Sequence, residues 1–540
     1  MRREAAETAG LRIPHWRRVR LGLLASLLVT AARVSATAAV FPGAARLGIN
    51  LAGPADWNTE LPFVDVFRLS RPWISQREGA KWGTGPPLTT DAHGWVRRLE
   101  PGCYAETLLC TIEGGHYPAG DYVVLYDGSG KLEFGGAGTV KSRAPGRLVV
   151  AVEPLRGALF LRLKRTDPDD CVRNIRVLMP GHEATYADEP FEPGFLRRWQ
   201  GMACLRFMDF MSTNNSRVRR WSDRPTPADA SCCRAGVPLE WMIDLANRLH
   251  AVPWFCMPHE ADDDYVRRFA ALVRRRLDPE LRVCVEYSNE VWNGMFRQAK
   301  YAQERGRELG FHEQPWEAGW CYYAYRSVQV FRIWEAAFGG PERLVRVLAT
   351  QAANPHVSER ICTFRSASEH ADALAVAPYL SLTVTPDGAP SVATVETWSV
   401  DQVLDRLETQ ALPESVDWMR RQKEVANRFD LELIGYEAGQ HAVAALGGEN
   451  SDRLTRLLQA ANAHPRMGRL YTRCFDAWKA AGGGLLCVFS SVSKWSKWGS
   501  WGLLQYQDEN GAEAPKFMAV MQWAAAQGQP VNVPDPGGGQ

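Results

Sequence analysis

The alternation of short apolar runs with longer amphipathic stretches beyond residue 195 constrains this 540-residue chain more than any other feature. Residues 203–208, 252–257, 282–287, 344–349, 373–377, 431–435 and 484–489 read as strands buried on both faces. Helical periodicity separates them, most clearly over 239–249 and 262–277. An earlier run at 46–51 brings the strands to eight. Eight β/α units over this length point to the α/β class and a (β/α)8 TIM barrel. A doubly wound open sheet is the alternative, but no Gly-rich phosphate turn opens a helix here.

The remaining segments suggest how the barrel is elaborated. Residues 46–70 supply the first strand and, over 57–69, a helix with Leu61, Val64 and Phe67 at a spacing of three and Pro62 in the first turn. Residues 95–182 change period. Val123 to Tyr126, the turn Asp127-Gly128-Ser129-Gly130 and residues 131–134 read as a hairpin, and further short strands follow at 147–152, 158–164 and 174–178. This pattern suggests a β-sandwich-like insertion between barrel strands one and two. Residues 195–527 complete the barrel, and the Pro/Gly-rich 529–540 read as a disordered tail.

At the other end, Arg17, Arg18 and Arg20 precede an apolar run at 21–32, and small residues surround Ala36 and Ala38. That order is a secretory signal over 1–38, too short for the ~20 residues of a membrane span. The expected location is secreted or periplasmic, with no membrane attachment after cleavage. An exported chain can oxidise its 12 cysteines. Cys103 with Cys110, and one of Cys232 and Cys233, are the expected bridge members. Cys204, Cys256, Cys284 and Cys487 sit in strand-like runs as buried thiols. The net charge of +2 offers no general field for nucleic acid. Oligomeric state leaves no signature.

A TIM barrel works at the C-terminal ends of its strands. In order these carry Asn50, Arg206 with Asp209, His259, Asn289 with Glu290, Gln351, Tyr379 and Glu437; Trp495, Trp498 and Trp501 lie beyond the last strand. Two glutamates thus face each other from strands four and seven. Opposed carboxylates suit glycosidic-bond hydrolysis, in which one protonates the leaving oxygen and the other attacks or activates water. Arg206, His259 and Tyr379 suit holding the second carboxylate charged, Asn289 suits a sugar hydroxyl, and Trp495 suits the floor of a subsite. His259-Glu260 has no second histidine at HExxH spacing, so no metal or other cofactor is expected. No GxSxG occurs, and Asn214-Asn215-Ser216 is formally a glycosylation sequon.

Cys284-Val285-Glu286-Tyr287-Ser288-Asn289-Glu290-Val291-Trp292-Asn293 resembles the strand-four segment of clan A glycoside hydrolases. Ile434-Gly435-Tyr436-Glu437-Ala438-Gly439 resembles their strand-seven segment, Arg206 matches their strand-two arginine, and Tyr379 matches their strand-six tyrosine. The resemblance implies Glu290 as acid/base, Glu437 as nucleophile, and a carbohydrate substrate. It covers the barrel, not the insertion, and Ala377-Pro378-Tyr379 lacks the histidine that clan often carries. The competing readings are a non-catalytic carbohydrate-binding protein on the same scaffold, and an adhesin or matrix module centred on the insertion.

Overall fold

The computed structural model describes residues 45–535; the signal reading over 1–38 lies outside them. Eight parallel strands close a barrel in the order Leu47–Asn50, Cys204–Arg206, Val252–Met257, Val283–Tyr287, Leu344–Ala349, Ala373–Val376, Glu432–Gly435 and Leu486–Val488. They are called barrel strands one to eight below. Nearly every residue in them is buried, as the continuous apolar runs require. Leu47 pairs with Leu486 to close the ring, and Asn50 pairs with Arg206 at the opposite rim. The barrel is filled, not hollow. A Cβ on Gly48 would lie 2.8 Å from Cys487 Sγ and 2.9 Å from Cys204 Cβ. Gly48→Val should therefore destabilise the fold by at least ~1–3 kcal/mol, the usual cost of overpacking, measured as a lower urea midpoint.

The outer helices follow the periodicity. Leu239–Leu249 has the boundaries read from the sequence, and Asp263–Arg276 starts where Asp262 accepts from the Tyr265 N–H at 2.7 Å. The expected helix over 57–69 does not form. Only Val66–Leu69 makes a short 3-10 turn, while Phe63 and Asp65 bridge to Phe191 and Leu178. Pairing with distant strands overrides the local period, and the first helix after strand one is Pro193–Trp199.

Between them lie two four-stranded antiparallel sheets. One orders Ile74–Arg77, Cys103–Leu109, Leu159–Thr166 and Gly130–Gly136; the other orders Arg173–Leu178, Gly120–Asp127, Arg147–Val152 and Gly138–Ala144. The expected hairpin across Asp127-Gly130 is absent, because its two strands belong to different sheets. Ser129 pins the crossing instead: its N–H donates to Asp170 and its carbonyl accepts from Asp167. Gly128 has φ +85 and its missing Cβ would sit 2.2 Å from the Cys171 carbonyl, so glycine is required there. The apolar interior of these sheets is continuous with that of the barrel.

The inserted sheets grip two loops at the C-terminal rim of the barrel. Thr111 and Arg71 bond Asp56 beyond strand one, while Glu113 pairs with Lys494 beyond strand eight. His116 bonds Asp508 at 2.9 Å and stacks on Tyr506.

All twelve cysteines are thiols. Cys103 opens an extended strand that ends at Leu109, just before Cys110, and the strand's length of roughly 20 Å at ~3.3 Å per residue keeps the two apart. Cys232 and Cys233 are likewise unbridged. The tail expectation also begins too early. Gln529 is buried, accepts from the Leu47 N–H at 2.7 Å and donates to the Leu47 and Gly201 carbonyls at 3.0 and 3.1 Å. Among the described residues no helix is long and apolar enough to cross a membrane.

Candidate active site

Side chains at alternate positions of a strand share a face, so Arg206 and Glu286 point into the barrel above Cys204 and Cys284. Arg206 is the hub. Its Nη1 donates to Glu437 Oε1 at 2.9 Å and Asn50 Oδ1 at 3.1 Å. Its Nη2 donates to Glu286 Oε2 at 3.0 Å and Asn289 Oδ1 at 2.8 Å. The rings of Tyr436 and Trp254 lie 5.0 and 5.3 Å from the guanidinium carbon. With no exposed surface, Arg206 is held by what surrounds it.

The two expected glutamates meet here in different company. Glu437 Oε2 accepts from the Tyr379 hydroxyl at 3.0 Å, so its two oxygens face a cation and a phenol. Glu290 accepts only from neutral donors, the Tyr436 hydroxyl at 3.0 Å and Asn293 Nδ2 at 2.9 Å. Burial raises the affinity of both for a proton. Glu437 is pushed up to about 8, with burial outweighing Arg206, and the charges of Glu290 and Asp209 adding to it. Each glutamate therefore disfavours ionisation of the other, and the pair holds one proton across an intermediate pH range. In that state the negative charge belongs on Glu437, which touches the cation, and the proton on Glu290.

The backbone at the end of strand four is bent to present this group. Ser288 and Glu290 have φ of +62 and +42, the left-handed region that costs a side-chain-bearing residue about 1–2 kcal/mol. Hydrogen bonds from the Ser288 N–H to Met257 and from the Asn293 N–H to Glu290 hold the bend. Asn289 between them is fully oriented, because Oδ1 accepts from Arg206 and Nδ2 donates to Asn214 Oδ1 at 3.1 Å. Gln298 donates to both Asn214 Oδ1 and the Asn289 carbonyl. Asn214, the formal sequon residue, is thus part of the wall of the site.

Arg206, Asn289, Tyr379, Glu290 and Glu437 are brought together as the sequence suggests. His259 and Trp495 are not. His259 is fully buried, lies edge-on to Tyr301 at 5.5 Å and has its pKa pushed down to about 4 by burial. Its carbonyl accepts from the Tyr287 hydroxyl, behind strand four. Trp495 turns into its own loop, with Nε1 donating to Gly502 and Lys516 Nζ 4.4 Å from its ring. The neighbouring Trp498 does not share its surroundings, since Trp498 is 61% exposed and Trp495 only 8%. The aromatic row beside the glutamates is instead Tyr379, His441 and Trp501, with successive ring centroids 5.6 and 5.7 Å apart.

Tyr436, Asn293, Glu286, Asn214, Gln298 and His441 complete the arrangement without having been singled out from the sequence as site residues. Asn293 alone carried a local signal, three residues past Glu290 in a turn. Asp209, half-buried near Arg206 and Glu437, has its pKa pushed up to about 6 by burial against the pull of Arg206.

No family model and no curated protein matches this chain. Among solved structures it is similar to a 4-O-alpha-L-rhamnosyl-beta-D-glucuronidase from Fusarium oxysporum 12S, at 9% identity and a TM-score of 0.35. That match covers 59% of this chain and 60% of that enzyme, so this chain spans less than two thirds of its length. It is also similar to GH10 from Paenibacillus barcinonensis, at 11% identity and TM-score 0.32 over 61% of this chain and 89% of that one. A Cellulomonas fimi endo-beta-1,4-mannanase matches at 10% identity and TM-score 0.32, over 61% and 64%. Likeness at this level is too slight to carry the chemistry, which rests on the residues described above.

Proposed function

We propose that the chain is an exported retaining glycoside hydrolase acting on a polysaccharide or oligosaccharide. One observation carries this reading: a buried and a half-buried carboxylate converge from strands seven and four, the first on a guanidinium and the second on neutral donors only. Glu437, ionised, attacks the anomeric carbon while Glu290 protonates the departing oxygen. Forming the glycosyl-enzyme consumes the charge on Glu437, which lets Glu290 give up its proton and then take one from water. Asn289 and the half-buried Trp501 and His441 suit the sugar hydroxyls and ring face. A non-catalytic carbohydrate-binding protein would need the aromatic row and the amides, but not two coupled carboxylates.

A panel of glycans tested with wild type beside Glu290→Gln and Glu437→Gln should show hydrolysis by the wild type alone. Proton NMR of the first-formed product should show the anomer of the substrate. Release of the inverted anomer would replace double displacement with direct attack by water; binding of glycans without cleavage would favour the non-catalytic reading.

A further inference from the structure

Arg206 is shared between two carboxylates, yet the chemistry proposed above uses only one of them. Glu286 lies four residues before Glu290 on the same strand, has no exposed surface, and meets Arg206 at 3.0 Å while Glu437 meets it at 2.9 Å. Its Oε2 also accepts from Trp254 Nε1 at 2.9 Å and lies 3.4 Å from Cys256 Sγ. Its Oε1 has no hydrogen-bond partner. A buried carboxylate oxygen left bare is costly, and an apolar residue here would leave Arg206 wholly to Glu437.

We infer that Glu286 is a positioning residue that sets the pH window of the Glu290–Glu437 pair by neutralising Arg206 from below. This rests on the reading of that pair as the acid/base and nucleophile. The charge inventory supports it. Arg206 and Asp209 face the pair from the second barrel strand and the loop after it, Tyr436 from the end of the seventh, and Tyr379 from beyond the sixth. Trp254 and Cys256 from the third strand, and Tyr323 from helix Pro315–Phe338, face Glu286. Burial keeps the Cys256 thiol and the Tyr323, Tyr379 and Tyr436 hydroxyls protonated well past neutrality. The local charge is then one cation against Glu286, Asp209 and whatever the pair carries. With Glu286 charged, ionising both members of the pair leaves a large uncompensated excess, so one proton stays. In Glu286→Gln, Arg206 serves the pair alone and both of its ionisations move toward acid together.

The test compares wild type, Glu286→Gln, Glu286→Asp and Trp254→Phe by kcat/KM against pH on a glycan from the panel. It adds carbon-13 NMR titration of glutamate carboxyls in the substrate-free protein. Glu286→Gln should shift both limbs of the bell about 1 unit toward acid, the low end of what a neighbouring charge does. Glu286→Asp, which keeps the charge, should lower the rate with the limbs in place. Trp254→Phe removes a donor from Glu286, throws its charge more fully onto Arg206 and should move both limbs toward alkali; this decides the matter if Glu286→Gln does not fold. A uniform loss of rate with unmoved limbs in Glu286→Gln and Trp254→Phe would overturn the inference and leave the hydrolase reading intact. If no glycan is cleaved the hydrolase reading fails, and unmoved carboxyl midpoints in the NMR titration would overturn the electrostatic claim independently.

Discussion

Glu437→Ala should reduce turnover by ~10⁴-fold or more, the scale of losing a nucleophile that acts as part of a unit. Small anions should then enter the space of the lost carboxylate. Azide should restore turnover of an activated glycoside and yield a glycosyl azide of inverted anomer, because one displacement replaces two. Glu290→Ala should behave differently. It should lose ~10²–10⁴-fold on substrates with poor leaving groups, the range of general acid catalysis, and much less in the glycosylation step with good ones. Azide should then attack the glycosyl-enzyme and give the retained anomer. Product chromatography and NMR read both results. Exchanged outcomes, with Glu290→Ala giving the inverted azide, would reverse the roles of the two glutamates. The wild-type rate should fall on the alkaline side, where the pair loses the proton held by Glu290, whose affinity for it burial raises.

The second large effect is on stability. Arg206→Met should cost about 3–5 kcal/mol, because it strands Glu286 and Glu437 in the barrel without their cation. The double variant Arg206→Met/Glu286→Met should recover part of that loss, since an apolar pair needs no desolvation repaid, while hydrolysis stays abolished. Urea unfolding of the two variants and wild type measures both. A single variant as stable as wild type would mean that water reaches the guanidinium's position, contrary to its complete burial.

The barrel was legible because its strands are buried on both faces and so appear as unbroken apolar runs; Val252–Met257 and Leu344–Ala349 match to the residue. Glu290 and Glu437 were legible for the same reason, since a strand's C-terminal end locates its side chain whatever the loops do. Legibility failed where the partner is remote. Asp65 satisfies its neighbours' backbone and the Val177 N–H across more than a hundred residues, which no helical period at 57–69 can reveal. The Gly128 turn was correctly read as a turn, yet its strands choose partners outside it. Trp495 misled because residues 494–502 form a loop, in which a place beyond the last strand does not fix where an indole points. His441, Asn214 and Gln298 escaped because they reach the site from a strand outside the barrel, a loop and the flank of a helix, where residue type alone is mute.

Closure of the ring by Leu47 against Leu486 has a consequence for synthesis. These partners are separated by most of the chain, so strand one leaves the ribosome about 20–90 s before strand eight at roughly 5–20 residues per second. Throughout that interval the nascent protein carries an open parallel edge at Leu47–Asn50, whose proper neighbour does not yet exist. Strand two cannot cover that edge early either, because the two inserted sheets are translated first. Those sheets have antiparallel neighbours nearby in sequence and can assemble while the edge waits. Their assembly places a structured mass beside the unfinished barrel, next to the only strand then exposed. The last backbone groups of strand one are satisfied later still, by the side chain of Gln529. Maturation of this protein is therefore a race between completing translation and pairing of that early edge with another chain.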